Sequence, residues 1–276
     1  MSDPKSNEFE PTVFVSWDLR DIKLHPTLDR YLLQPYVRFA RSVARRPTDA
    51  VFVTHLLLYT CISLPSAVYL FYNFHYLHGI LHAAMQVWFA GTYTLMMHQH
   101  IHQRGVLAPK YRLFDTIFPY ITDTLHGHTW NSYYFHHVKH HHIEGNGPND
   151  LSSTLRYQRD SKRDFAQYVF RFMLFIWLEL PMYFFSKNRP GMAMKVLVCE
   201  VGNYAFYAFM AYMHFRATLF VFLIPLFVMR IGLMVGNWGQ HALVHPDEPD
   251  SDYRSSITLI DVPVRPLCLT IHSHKC

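Results

Sequence analysis

Long apolar runs constrain the fold of this chain more than any other feature. Five runs reach or approach the length of a bilayer-spanning helix, which needs about 18 or more residues, and they cover residues 51–72, 80–97, 165–185, 192–213 and 217–235. The mean hydropathy of +0.01 hides these runs because the chain ends and the central segment are polar. We therefore predict an all-α fold, a polytopic membrane helix bundle.

Polar residues inside the runs leave a second interpretation open. Pro65, His82, Glu179, Glu200 and Arg230 interrupt them, as they would the buried helices of a soluble helical protein. Polar side chains within spans are uncommon, but they are typical of the interior of a functional membrane bundle. The membrane interpretation is the one we favour.

Charge placement predicts the topology. Arg41, Arg45 and Arg46 precede the first run, and basic residues also fill the segment 98–164, which places both on the cytosolic side. The runs 51–72 and 80–97 would then form one hairpin, and 192–213 and 217–235 a second. We expect the run 165–185 not to span, because charged residues interrupt it, so the segment 98–164 forms a cytosolic histidine-rich helical cap.

Three regions follow from this division. Residues 1–50 form a polar cytosolic leader with an amphipathic helix, 51–245 the membrane domain, and 246–276 a cytosolic tail. The net charge of +5 lies in loops beside apolar runs, which favours anionic lipid headgroups over nucleic acid as the partner. We predict an integral, multi-pass membrane protein, of the endoplasmic reticulum if the source is eukaryotic.

Histidines are concentrated in the predicted cap. Ten of the 20 histidines lie between residues 98 and 142. Residues four apart share one face of a helix, and three segments carry such pairs: His98 with His102, His137 with His141 (flanked by His140 and His142), and Asn237 with His241. A single zinc needs four ligands, so this number of imidazoles predicts a centre with more than one metal ion.

The motifs "HQHIH", "HHVKHHH" and "NWGQH" resemble the histidine boxes of the membrane fatty acid desaturase superfamily over about residues 51–245. The resemblance implies two non-haem iron ions in a cytosolic cap, which use molecular oxygen to remove hydrogen from a fatty acyl lipid. It implies His98 and His102 as ligands from the first box and His137, His141 and His142 from the second, with His140 as an alternative register. His241 would bind directly and Asn237 through water.

Other features complete what the resemblance implies. The chain has no His-Pro-Gly-Gly haem motif, so electrons would come from a separate cytochrome-type or ferredoxin-type donor. His126 and His128 match no box, and we expect them to form hydrogen bonds behind the ligands.

The sequence departs from the family after the last apolar run. The family places H-x-x-H-H there, and this chain does not have it; His245, His272 and His274 are poor substitutes. We interpret the tail as truncated or altered, which would leave the second iron under-coordinated and the activity of the chain open. Three alternatives to a desaturase remain: a hydroxylase of the same superfamily, a non-catalytic relative, and a metal transporter with a histidine-rich loop.

Overall fold

The computed structural model describes residues 24–241 together with residues 245, 247 and 248. Regular structure within these residues is entirely helical, and an isolated bridge between Ala44 and Leu107 is the single strand-like pairing among them. The predicted all-α class is confirmed for this part of the chain. Residues 1–23 of the predicted leader and all of the predicted tail except residues 247 and 248 lie outside the described residues, and so do His272 and His274.

Eight helical segments make up the described chain. They are α1 (26–43), α2 (Pro47–Tyr72), α3 (Tyr76–Gln103), α4 (Arg112–Leu125), α5 (134–144), α6 (Lys162–Ser186), α7 (Pro190–Thr218) and α8 (219–240). α1 occupies the place predicted for the amphipathic helix and buries Leu33, Val37 and Ala40 on one side.

Three helices are long and apolar enough to cross a membrane: Pro47–Tyr72, Lys162–Ser186 and Pro190–Gln240, the last of which is broken at His214. The runs 51–72, 192–213 and 217–235 lie in the first and third of these. These candidates differ from our expectation at two runs. The run 165–185, which we expected not to span, lies in a candidate helix, and the run 80–97, which we expected to span, does not. The run 80–97 is made more polar by His82 and Gln86, whose side chains are buried and hydrogen-bonded to each other at 3.2 Å.

Both predicted hairpins form. Across α2 and α3, the Tyr59 hydroxyl meets Thr92 at 2.9 Å and Ser66 meets His82 Nδ1 at 2.9 Å, as antiparallel neighbours do. Near the end of α7 the backbone of His214 is non-helical (φ −157°, ψ 87°) and breaks the helix before α8. The chain then returns on itself, because the rings of Tyr207 and Phe222 stack with centroids 5.5 Å apart.

α6 runs alongside the histidine-rich helix α5. The ring of Phe172 packs edge-on against His136 with centroids 5.2 Å apart, and Tyr183 donates a hydrogen bond to Glu144 at the end of α5. Near its start α6 also contacts the end of α8, where Asn237 donates to the Tyr168 hydroxyl at 2.7 Å. α6 therefore packs against both α5 and the end of α8.

Candidate metal centre

The first pair of histidines lies on the last turns of α3. This helix continues beyond its apolar run and ends where Arg104 adopts a left-handed conformation (φ 59°). His98 and His102 are one turn apart on the same face, with ring centroids separated by 4.6 Å. His100 points elsewhere, with Nε2 2.9 Å from the carbonyl oxygen of Asp115.

The second histidine segment is wound as a π-helix over Tyr134–His141, where an α-helix was expected. The backbone N–H of His142 donates to the carbonyl of His137, five residues earlier. Side chains five apart therefore meet: the Nε2 atoms of His137 and His142 are 3.0 Å apart, and the rings of His136 and His141 are parallel with centroids at 6.2 Å. His137 and His141, the predicted i,i+4 pair, also lie together, with stacked rings whose centroids are 5.7 Å apart.

Four imidazoles from α3 and α5 converge. One ligand nitrogen from each of His98, His102 and His137 lies within 4.8 Å of the other two, a group able to hold a metal ion. His142 joins them, since its ring centroid is 5.0 Å from that of His102 and 4.4 Å from that of His137. We call these four residues the central group.

Tyr133 supports the central group from the start of α5. Its hydroxyl lies 3.3 Å from Nδ1 of His98, and its ring stacks on His137 with centroids 5.1 Å apart. The central group therefore has an aromatic wall that fixes two of its rings.

Asp150 organises the other predicted ligands of α5. Its Oδ2 is 2.6 Å from Nδ1 of His141, and its Oδ1 is 3.9 Å from Nδ1 of the fully buried His140. His140 accepts a hydrogen bond at Nε2 from the backbone N–H of Leu151 at 3.1 Å. His136, His140 and Asp150 form a second group of ligand atoms within 4.8 Å of one another.

The third predicted pair closes the cluster on the side of His141. His241 lies at the end of α8, is 7% exposed, and has its ring centroid 5.8 Å from that of His141. The amide nitrogen of Asn237 donates to the carbonyl of Ser152 at 2.9 Å and to Tyr168. The structure thus brings His241 to His141, while Asn237 binds the loop that follows α5.

Burial sets the charge state of the cluster. It lowers the pKa of His137 well below its usual value, and the neighbouring imidazoles of His141 and His98 lower it further. Burial by itself would raise the pKa of Asp150, but the hydrogen bond from His141 and the nearby imidazoles hold that pKa well below its usual value. The site therefore combines a neutral imidazole at His137, the form that binds metal, with an ionised carboxylate at Asp150.

His126 and His128 lie behind this cluster in the loop between α4 and α5. His126 stacks on Tyr93 with centroids 4.2 Å apart, and His128 lies 5.1 Å from the ring of Tyr133. Both are buried, and neither Nε2 has a hydrogen-bond partner among residues 24–241. They contact the tyrosines that flank the cluster and form no hydrogen bond to a predicted ligand.

Sequence reasoning missed three residues of this site. His136 belongs to the same histidine run, but its position depends on the π-helical winding. Tyr133 and Asp150 carry no spacing signal, although Asp150 follows α5 in the motif "EGNGPND", where a loop carboxylate can turn back towards the helix.

Comparison with known proteins adds no relative, because no protein-family model, no curated protein and no solved structure matches the chain.

Proposed function

We propose that this chain is a membrane-bound, oxygen-dependent oxidoreductase that desaturates fatty acyl lipids, with two iron ions held by its histidine cluster. The observation that carries the proposal is the convergence of His98 and His102 from α3 with His137 and His142 from α5. Two segments separated by more than 30 residues of sequence present imidazoles to one point, which a structural role would not require.

The donor set fits iron. Neutral imidazole suits iron as well as zinc, and the pKa of His137 is lowered by burial so that its ring is neutral. We assign one metal position to the central group and a second to the side of His141, where His241 faces it. Bound iron would supply the power to activate oxygen and abstract hydrogen from an unactivated methylene, which side chains alone do not have.

The protein's own residues would hold and shield this chemistry. Tyr133 fixes the rings of His98 and His137 by the contacts described above. α6 covers α5 with Phe172 and limits the access of water to the metal positions. Exposed apolar side chains on α6, α7 and α8, among them Phe170, Phe209 and Phe227, support contact with lipid tails, from which an acyl substrate would approach.

The location and partners belong to the same proposal. Basic residues lie close to the cluster in sequence, including Arg104 before α4 and Arg159 before α6. By the positive-inside bias this supports a cytosolic metal site in a multi-pass protein, in the endoplasmic reticulum if the source is eukaryotic. A separate cytochrome-type or ferredoxin-type protein would supply the electrons.

The three alternatives differ in how well the described residues support them. A metal transporter needs several ligands deep within its spans. His82 is hydrogen-bonded to Ser66 and Gln86, and Glu200 is paired with Arg230 at 3.4 Å. That leaves the buried His55, and one imidazole is fewer ligands than a metal site needs. A hydroxylase shares the same site and differs only in its product. A non-catalytic relative would follow if the missing H-x-x-H-H motif is required, and that region lies outside the described residues.

The test measures metal first and product second. The full 276-residue chain is purified in detergent, and we expect about two iron ions per chain in wild type, fewer in His102→Ala, and no loss in His75→Ala, which changes an exposed histidine outside the cluster. Iron near zero in wild type would contradict the proposal.

Activity is then assayed with the reduced electron donor, oxygen and acyl lipid. Loss of two hydrogens from the product supports a desaturase, and addition of one oxygen supports the hydroxylase. Iron binding without product would favour the non-catalytic relative.

A further inference from the structure

The loop that follows α5 carries more internal hydrogen bonds than a connection needs. Asn146 donates from its backbone N–H to Asp150 Oδ2 at 3.1 Å, and Ser152 donates to Asp150 Oδ1 from both its N–H and its hydroxyl at 2.8 Å. Thr154 donates from its N–H to the side chain of Asn146 at 2.9 Å. The carboxylate of Asp150 is the centre of this network and is fully buried.

The same loop is bound to the end of α8. The main-chain carbonyl of His241 accepts hydrogen bonds from Arg159 Nε at 2.9 Å and from the Thr154 hydroxyl at 3.4 Å, and Asn237 donates to the carbonyl of Ser152. The segment 145–159 therefore joins the histidines of α5 to His241. Nothing in the sequence motifs assigned this segment a role.

We propose that Asp150 is a positioning residue, which fixes His141 as a metal ligand through Nε2. The contact between Asp150 Oδ2 and His141 Nδ1 is 2.6 Å, and with an ionised carboxylate the shared hydrogen belongs to Nδ1. The lone pair then lies on Nε2, the ring nitrogen that can bind a metal ion, and the ring centroids of His137 and His241 lie 5.7 and 5.8 Å from that of His141. This inference rests on the proposed function, because it needs a bound metal.

The alternative role, Asp150 as a ligand together with His136 and His140, fits the geometry less well. His140 accepts a hydrogen bond at Nε2 from Leu151 N–H, so its own hydrogen lies on Nδ1, the atom that faces Asp150 at 3.9 Å. A protonated Nδ1 is not a metal ligand. The two oxygens of Asp150 already accept four hydrogen bonds.

Carboxylates that orient a ligating imidazole typically change metal affinity by about 10- to 100-fold when they are replaced. Asp150→Asn introduces an amide that presents an NH2 group either to His141 and Asn146 or to Ser152, and all of these are donors. We therefore expect Asp150→Asn to weaken the binding of a metal ion to the histidine cluster by about 10- to 100-fold.

A double-mutant cycle separates the two roles. The full chain in detergent is titrated with Co²⁺ as the probe, its visible absorption is followed, and affinities are compared for wild type, Asp150→Asn, His141→Ala and the double variant. If Asp150 acts through His141, the double variant binds within about twofold of His141→Ala, because the two changes remove one interaction. If Asp150→Asn lowers the Co²⁺ affinity by the same factor in wild type and in His141→Ala, Asp150 is a ligand itself or supports the fold in general, and the inference is overturned.

A control keeps folding separate from binding. Asp115 is another buried aspartate, which accepts backbone hydrogen bonds from Val106 and Leu107 at 3.1 and 3.4 Å. Asp115→Asn should lower thermal stability and leave Co²⁺ affinity unchanged. If wild type does not bind Co²⁺, the proposed function fails together with this inference. If wild type binds but Asp150→Asn binds equally well, the positioning role alone is wrong.

Discussion

Replacement of Gly127 by alanine tests how the loop behind the cluster is held against α8. Gly127 lies between His126 and His128 and has φ +82°, a conformation that side chains with a Cβ rarely adopt. A Cβ on this residue would lie 2.2 Å from the carbonyl oxygen of Pro225 and 2.7 Å from Cβ of Met229. Both neighbouring positions belong to α8, so the loop or the helix would have to shift by about 1 Å to restore ordinary contact distances.

The loss of folding stability in Gly127→Ala follows from the backbone conformation and from the steric overlap with α8. The left-handed backbone costs a residue with a Cβ about 1–2 kcal/mol, and overpacking adds about 1–3 kcal/mol. The total of about 2–5 kcal/mol corresponds to a fall in Tm of about 4–20 °C, if this chain follows the scaling of soluble domains of roughly 150–250 residues.

The assay is thermal unfolding of the purified chain in detergent, with Co²⁺ binding measured at a temperature where both proteins are folded. Gly232→Ala is the matched control, because it lies in α8 and an added Cβ meets nothing within 4 Å. Alanine there should be stabilising by about 0.5–1 kcal/mol. A Gly127→Ala protein whose Tm equals that of wild type would refute the reasoning.

Three further predictions concern single groups. His142→Ala should lower the affinity of the central group for Co²⁺ by at least about 10-fold, measured by titration, whereas His75→Ala should not. Glu200→Leu should cost about 3–5 kcal/mol because the buried Arg230 loses its carboxylate and keeps neutral hydrogen-bond partners such as Tyr204, and a double variant with Arg230→Met should recover most of that loss in thermal unfolding. Burial raises the pKa of Asp123 from 3.8 to about 7, so the folded state favours the protonated carboxyl; stability should fall as pH rises from about 4 through about 7, and Asp123→Asn should flatten this dependence.

Much of the fold was accessible from the sequence because helix formation and apolar burial are local signals. The hairpin of α2 and α3 formed as predicted from the short connection between their apolar runs, and that of α7 and α8 as predicted from the placement of charges. The run 165–185 was harder to interpret. Its Arg171 and Glu179 argued against a span, but they form an ion pair at 2.9 Å, which reduces the cost of burying both charges and which a sequence alone does not reveal.

The site was predictable in part. Spacing located both histidine segments and put His98 and His102 on one face of α3, since α-helical geometry is the default for such a run. The π-helical winding of α5 was not predictable, because it depends on packing against α3 and α6 and changes which histidines pair. Asp150 was missed for a related reason: a loop residue reaches the cluster only through the tertiary path of residues 145–159.

If a metal ion binds the histidine cluster, the winding of α5 would link its binding to the backbone conformation. In an α-helix, residues five apart are separated by about 140° around the axis, so rewinding Tyr134–His141 would carry His142 away from His137. A ligand that binds one winding and not the other stabilises it by mass action. A bound metal ion would then stabilise the uncommon π-helical winding. Removal of the metal by a chelator should increase amide hydrogen exchange along Tyr134–His141 before any change in the long helices.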